Sequence, residues 1–435
     1  MMEFWTDPLP VLIATAFLGT VVGLFLWPRP RMLKIWMLLV TLAILLTLIA
    51  VSRRAGPAAG MPLLYLLPLA AFVSLLAQPA QEESRISWLM TLILLGLGLG
   101  FLVSERSLGL MLLVSLLALL SLLLYRYKKL SRPQLWWGVG IYGLGIGCLV
   151  VSLVAAPPIS SVALLLTYSV LLPLFPFHGG YVAALAGLPG NVSAFLALLL
   201  PTMGFHGVLT LIPDAPVGIM HTLLILAVSG ALYGSAKAMV QCRVVNTLAY
   251  ASLAFFSILW WYLTTTLTYT PQAAVYLSAV GLVTGGLFLT WHSVQVRYGD
   301  VDVNRIGGLA RPMPQFATLL SLLVMAAMGL PPFGVFSGYM GMLLNPSIAL
   351  SGFLLVIMVT WLAASWYFLS LLQRILFGRH RQDIRYEDLR HTETASLLII
   401  LLILVAIGIV PARFFEAETP THGYGTAMES NLWKK

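Results

Sequence analysis

Seven side chains that can donate or accept a proton occur in stretches of the chain that are otherwise apolar. They are His178, Ser193, Thr202, His206, Lys237, Tyr250 and Ser252. A proton relay needs groups that change protonation near the working pH and that are linked by hydrogen bonds or water. We therefore expect these residues to be candidates for a proton path, with Thr202 linking His178 to His206. The alternatives are a packed, hydrogen-bonded His206 and a Lys237 that snorkels to a membrane interface.

The elements that position these residues lie in lipid. From Pro133 to Ala236 the chain carries a single formal charge, Asp214, and 60% of all residues are apolar whereas 9% are charged. A charge inside a bilayer costs several kcal/mol, and a soluble domain would carry far more charged residues. The composition thus predicts an integral membrane protein.

The apolar segments predict about 14 transmembrane helices and an all-α polytopic fold, because a span needs about 20 residues and a barrel would show short alternating segments. The segments are 9–27, 33–51, 62–79, 86–103, 108–125, 135–154, 158–175, 192–212, 217–240, 245–267, 272–296, 314–331, 346–373 and 394–412. The glycine runs from Gly96 to Gly100 and from Gly138 to Gly147 are expected to form helix-packing faces.

The basic residues of the loops are distributed unequally between the two sides. With 14 spans, one side collects 18 of the 24 lysines and arginines, and the other side has Arg53, Arg54, Arg106, Arg413, Lys434 and Lys435. Because basic loops stay in the cytoplasm, we expect both termini to lie outside an inner or plasma membrane. The excess of positive charge then indicates anionic lipid as its partner and not nucleic acid.

Two places in the chain cannot form straight helices. Residues 173–191 contain Pro173, Pro176, Gly179, Gly180, Pro189 and Gly190, and residues 329–334 read GLPPFG. The free backbone groups of a broken span must face protein or a polar cavity, and transporters place ion sites at such breaks. The alternative for 173–191 is a tight re-entrant or surface loop, and the spacing alone does not separate the two interpretations.

The sequence offers no catalytic or cofactor-binding motif. Cys148 and Cys242 have no metal-ligand spacing and are expected to be small core residues, and His292 and His380 are expected at loop ends. We therefore predict no catalytic, cofactor-binding or metal residues in this chain. Redox cofactors, if the system uses any, would belong to partner subunits.

Ordered motifs over residues 170–412 resemble the antiporter-like membrane subunits of respiratory complex I and of Mrp-type cation/proton antiporters, most of all the M-type chain (subunit 4). Against that family's consensus, matching residues include Pro176, His178, Pro189, Ser193, Gly204 and Gly207. Further matches are LAYAS at 248–252, IGGLARPMP at 306–314, GLP at 329–331, QRILFG at 373–378, and Asp388-Leu389 with Glu393. Residues 1–130 share only the pattern of spans.

The resemblance implies a helical bundle with broken helices, inverted five-helix repeats and a polar axis of Lys, Glu and His that carries protons. This sequence departs from the pattern along that axis. The family's lysines fall on Thr202 and Val245, its tyrosine on His206, its histidines on Phe255 and Val280, its acid after F-x-G on Tyr339, and its buried glutamate near Val114. Threonine and valine cannot replace a lysine that titrates.

The resemblance also suggests how the chain is divided. We expect N-terminal helices over 1–130, a first antiporter-like half over 131–270 that includes the first break, and a second half over 271–435. The function implied is a membrane subunit of a complex I-like, hydrogenase-like or Mrp-like assembly linked to proton or cation translocation, with a degenerate path of its own. The alternative is a non-conducting structural subunit that anchors a partner, including an inorganic-carbon uptake partner. Other membrane subunits are the expected partners in both cases.

Overall fold

The computed structural model describes residues 8–55, 61–79, 84–127, 129–212, 216–299, 307–348, 351–378 and 386–411, and in them the chain forms α-helices joined by turns and loops, with no β-strand. In these ranges the helices are α1 (Pro8–Phe25), α2 (Pro30–Ala55), α3 (Met61–Ala77), α4 (Arg85–Val103), α5 (Arg106–Tyr127), α6 (Arg132–Val154), α7 (Ile159–Leu171), α8 (Gly179–Gly187), α9 (Gly190–Leu211), α10 (Val217–Val240), α11 (Val244–Thr266), α12 (Pro271–Tyr298), α13 (Pro314–Ala327), α14 (Gly334–Leu343), α15 (Gly352–Leu376) and α16 (His391–Ile409).

Each of the fourteen predicted segments corresponds to one helix. Among the described residues, ten helices are long and apolar enough to cross a membrane, and four shorter apolar helices (α1, α3, α7 and α13) match the remaining predicted segments. The sequence did not predict α8 and α14, which continue α7 and α13 after a break. The largest error in a helix start is at α15, which begins at Gly352 and not at residue 346.

Several helix starts follow directly from the local sequence. Proline occupies the first turn of α6, α12 and α13, where its missing N–H leaves no hydrogen bond unmade. At α12 the side chain of Thr270 also accepts a hydrogen bond from the backbone N–H of Ala273 at 3.4 Å. These helices therefore begin at positions where proline, or a side chain that caps the helix, favours a helix start.

The centre of the bundle is formed by α9, α11 and α12, and α12 is the most deeply buried of the long helices. Small residues bring α12 close to α9. A Cβ atom on Gly285 would lie 2.7 Å from the backbone oxygen of Ala194, and one on Gly281 would meet Leu198. In lipid, small residues stabilise helix association because they let the two backbones pack closely.

The two breaks occur in equivalent and oppositely directed spans. Helices α7 and α8 form the seventh span, and α13 and α14 form the twelfth. Because successive spans alternate in direction, two spans that are five apart run oppositely, which is the inverted repeat of many transporters. The predicted boundaries at residues 131 and 271 stay predictions.

Two minor expectations are wrong in part. Cys242 is exposed in the turn after α10, and Cys148 is half-buried, so neither is a core residue. Of the glycines in α6, Gly138 and Gly145 pack against neighbouring residues, whereas Gly140, Gly143 and Gly147 have open space where a Cβ atom would lie. The packing face of α6 is therefore narrower than its glycine run suggests.

Candidate functional site

The first break, residues 172–178, is supported by hydrogen bonds from its own backbone and from α11. The backbone N–H of Leu174 donates to the oxygen of Ser169 at 3.1 Å. The indole N–H of Trp260 donates to the oxygen of Leu172 at 2.9 Å. Protein groups thus replace the helical partners that the break removes, as required at membrane depth.

Glycines of α9 allow the break to lie against the bundle core. A Cβ atom on Gly204 would contact the backbone nitrogen of Leu172, and one on Gly207 would contact the ring of Tyr168. The motif glycines are therefore required by backbone and ring contacts at this break.

A cavity of about 390 Å³ lies beside the first break, between α6, α8, α10 and α11. His178, Lys237 and Tyr250, three of the predicted residues, line this cavity together with Phe175 and Tyr233. His178 is buried, and its Nδ1 atom makes no hydrogen bond to the described residues. We refer to this space as the break cavity.

Four rings form a compact cluster in the wall of the break cavity. The centroid of Tyr233 lies 5.0 Å from that of Phe175, 5.3 Å from that of His178 and 6.2 Å from that of Tyr250. The ammonium nitrogen of Lys237 lies 5.8 Å from the Tyr233 centroid, within the range of a cation–π interaction. The amide side chains of Gln134, Gln241 and Asn246 also line the cavity.

Tyr233 is not among the residues predicted from the sequence, although, like His178, it contacts the three other rings of the cluster. A usable signal was present, because Tyr233 precedes Lys237 by four residues. Residues at this spacing share one face of a helix.

Thr202 and His206 line a different cavity, of about 300 Å³, which has no lining residue in common with the break cavity. The hydroxyl of Thr202 donates to the backbone oxygen of Leu198 at 2.7 Å. The imidazole of His206 packs edge-on against Phe101, with the centroids 5.9 Å apart. The structure therefore does not group His178 with Thr202 and His206.

The two predicted serines make local hydrogen bonds and line neither of these cavities. The hydroxyl of Ser193 donates to the oxygen of Leu188 at 3.2 Å, and that of Ser252 donates to the oxygen of Ala249 at 2.9 Å. Hydroxyls that bond back to their own helix or its flank are common in buried helices.

The second break is filled by aromatic side chains. Tyr339 and Trp361 stack with their centroids 3.7 Å apart and their planes 2° from parallel. Tyr276 and Phe255 pack on the same indole, at 6.4 Å and 5.9 Å. Gly329 has a φ of 71°, and a Cβ atom there would overlap the ring of Trp361. From residue 312 to residue 373 the sequence has no Lys, Arg, Asp, Glu or His.

His292 lies within α12 and not at a loop end, which corrects the expectation for this residue. Its Nε2 atom is 3.4 Å from the amide nitrogen of Gln78, and it lines a third cavity of about 560 Å³ with Lys129 and Arg243. Gly190 makes room for the imidazole, because a Cβ atom there would overlap it. His380 lies outside the described residues.

The acidic motif before the last span joins three helices. Glu393 accepts from both terminal nitrogens of Arg297 on α12, at 2.6 and 3.1 Å, and the two side chains are 5% and 7% exposed. Asp388 accepts from the backbone N–H groups of Gln315 and Phe316 at the start of α13. These motif residues thus stabilise the bundle.

The G-G-L-A segment caps the end of α15. The backbone N–H groups of Gly308, Leu309 and Ala310 donate to the oxygens of Phe377, Ile375 and Leu376 at 3.1 Å each. The last carbonyl oxygens of a helix have no hydrogen-bond donor within the helix. The N–H groups of this loop supply a donor for three such oxygens at the end of α15. Among the described residues, no three His, Cys, Asp or Glu side chains are grouped so that they could hold a metal ion.

A helical bundle in which two broken spans lie five spans apart matches the inverted-repeat pattern of many transporters. The sequence model of the family described as NADH:quinone oxidoreductase/Mrp antiporter, transmembrane, matches residues 158–364. The match covers slightly less than half of the chain, and it supports an antiporter-like membrane subunit of this kind.

Curated relatives carry the names of respiratory subunits. NADH-quinone oxidoreductase subunit 13 of Thermus thermophilus is 31% identical over 275 residues, which cover 59% of this chain and 55% of the relative. Subunit M of the Escherichia coli enzyme is 28% identical over 263 residues, covering 58% and 51%. The chain therefore spans about half the length of the curated relatives that it matches.

Solved structures share the fold over nearly the whole chain. A chain of respiratory complex I from Thermus thermophilus superposes with a TM-score of 0.77 at 22% identity, covering 93% of this chain and 96% of that one. A chain of the membrane-bound sulfane sulfur reductase, an archaeal respiratory membrane complex, gives 0.82 at 14% identity, covering 94% and 77%. At these identities the likeness concerns the fold.

Proposed function

We propose that this chain is a membrane subunit of a complex I-like or Mrp-like assembly linked to proton or cation translocation, and that its own ion path is interrupted. The family and the names of the relatives support the first part. Its partners are then other membrane subunits, and redox cofactors, where the assembly uses any, belong to partner subunits. The names of the relatives favour this assignment over a structural subunit that anchors an inorganic-carbon uptake partner.

The main support for an interrupted ion path is the difference between the residues at the two breaks. The first break opens onto a cavity with a histidine, a lysine, tyrosines and amides. At the second break, stacked aromatic rings occupy the space, and residues 312–373 include no Lys, Arg, Asp, Glu or His. A path through both halves needs proton carriers in each of them, so the second half is closed to protons.

Proton flux through the assembled complex tests this proposal. The complex that copurifies with the full-length chain would be reconstituted in liposomes containing a pH-sensitive dye. We expect His178→Ala, His206→Ala and Thr202→Lys to leave flux per complex unchanged, because no carrier connects them to the other half. Thr210→Lys is the matched control for Thr202→Lys, since both threonines belong to α9 and line the same cavity.

Two results would contradict the proposal. A tenfold fall in flux in either histidine variant would show that this chain conducts, and that its path is complete. Copurification of no other membrane subunit would remove the assignment to a multisubunit assembly.

A further inference from the structure

The break cavity contains a single charged side chain. Lys237 is the one Lys, Arg, Asp or Glu among its lining residues, all of which are described by the structure. Between Pro133 and Lys237 the sequence has one carboxylate, that of Asp214, and this residue lies outside the described residues. The cavity therefore has a net positive charge.

An ammonium group in partly apolar surroundings is stabilised by a partner of opposite charge. The contact that the structure gives for Lys237 is the face of the Tyr233 ring, at 5.8 Å from its centroid. A ring quadrupole supplies only part of the stabilisation that an anion would supply. Lys237 thus has the chemistry of one half of an ion pair.

The other polar groups of the cavity are suited to the same partner. The buried His178 imidazole has an Nδ1 atom with no hydrogen-bond partner among the described residues. The amides of Gln134, Gln241 and Asn246 carry N–H groups, and the Asn246 amide donates to the amide oxygen of Gln241 at 3.4 Å. One ammonium group with amide N–H groups nearby, and no carboxylate among the lining residues, favours an anion over a metal ion or an organic cation.

We propose that the break cavity binds a small monovalent anion of about carboxylate size, with Lys237 as its counter-charge. One lysine balances one negative charge, which sets the valence. A volume of about 390 Å³ holds such an anion together with several waters that bridge to the amides and His178. The proposal goes beyond the proposed function, because it concerns binding in a cavity and not passage through the chain.

Equilibrium dialysis with radiolabelled acetate tests the proposal, using the full-length chain with its copurifying partners in neutral detergent. We expect one saturable site that Lys237→Gln weakens at least tenfold, while Lys237→Arg, which keeps the charge, retains it. Lys129→Gln is the matched control, because it removes a like charge from a residue that lines the third cavity instead. Val182→Phe, which fills the break cavity without changing its charge, should abolish binding.

Competition identifies the ligand class. Chloride and formate should displace acetate. Absence of a saturable site that Lys237→Gln affects would overturn the proposal, and so would displacement by phosphatidylglycerol vesicles alone, which would indicate a lipid head-group site. If Lys237→Gln does not assemble, the other two variants test the proposal: binding should persist in Lys237→Arg and be lost in Val182→Phe. Because dialysis does not measure flux, a negative result would leave the proposed function standing.

Discussion

A buried ion pair stabilises this mostly apolar protein. The ion pair between Arg297 and Glu393 is nearly inaccessible to solvent, and Glu393 also accepts from the backbone N–H of Arg390 at 2.8 Å. A buried pair is costly to break because the remaining charge stays unpaired. The pair thus ties α12 to the start of α16, across 96 residues of sequence.

Glu393→Ala should therefore lower the free energy of unfolding by about 3–5 kcal/mol. Glu387→Ala removes an exposed glutamate six residues earlier and should have little effect. Thermal unfolding of the purified protein in detergent, followed by tryptophan fluorescence, would compare the two variants. Equal midpoints would show that the pair does not stabilise the bundle.

A second residue-scale prediction concerns Gly204 at the first break. A Cβ atom there would meet the backbone of Leu172, which cannot move without disturbing the break. We expect Gly204→Ala to destabilise the protein by about 1–3 kcal/mol, as overpacking does. Gly140→Ala is the matched control, since its Cβ atom meets open space and alanine favours a helix. The same unfolding measurement applies, and a stabilising Gly204→Ala would contradict the close approach.

At the scale of elements, the two broken spans differ in what fills the gap between their halves. The second break is closed by the stack of Tyr339 on Trp361, a residue of α15. The short hydrogen bond from the hydroxyl of Ser337 to the oxygen of Gly408, 2.6 Å, holds α14 against α16. Packing therefore replaces the charged groups that the family pattern places here.

Removal of the indole should open the second break. We expect Trp361→Ala to speed amide hydrogen exchange at Gly329, Leu330 and Phe333, whose N–H groups donate to backbone oxygens of the end of α13 or of the break itself. Trp366→Ala is the matched control, because this tryptophan is on the same helix and 71% exposed. Unchanged exchange in Trp361→Ala would mean that the stack does not close the break.

Much of this architecture could be predicted because lipid constrains sequence strongly. Long apolar segments give the spans, and clustered proline and glycine give the two breaks. The sequence did not predict α8 and α14, since nine or ten apolar residues are too few to show a helical pattern. It also could not assign His178 and Thr202 to separate cavities, because that depends on how helices rotate when they pack.

At the scale of the whole molecule, the polar groups are distributed unevenly. The break cavity reaches from the turn between α10 and α11 to the seventh span, and the equivalent region of the twelfth span is filled with rings. Gln241 and Asn246, at one end of this cavity, flank a turn that the charge distribution predicts to be cytoplasmic. The orientation of the chain therefore decides which compartment supplies the anion that we propose.

The two native cysteines allow this orientation to be measured. In a Cys148→Ser background, Cys242 is the sole thiol and is exposed in the turn after α10. We expect a membrane-impermeant maleimide to label it in inside-out vesicles and not in intact cells or right-side-out vesicles. A single cysteine at Ala156, exposed between α6 and α7, should show the opposite pattern in a Cys148→Ser, Cys242→Ser background. The reverse result for both thiols would place the basic loops and the mouth of the break cavity outside, because the sides of all fourteen spans are linked by strict alternation.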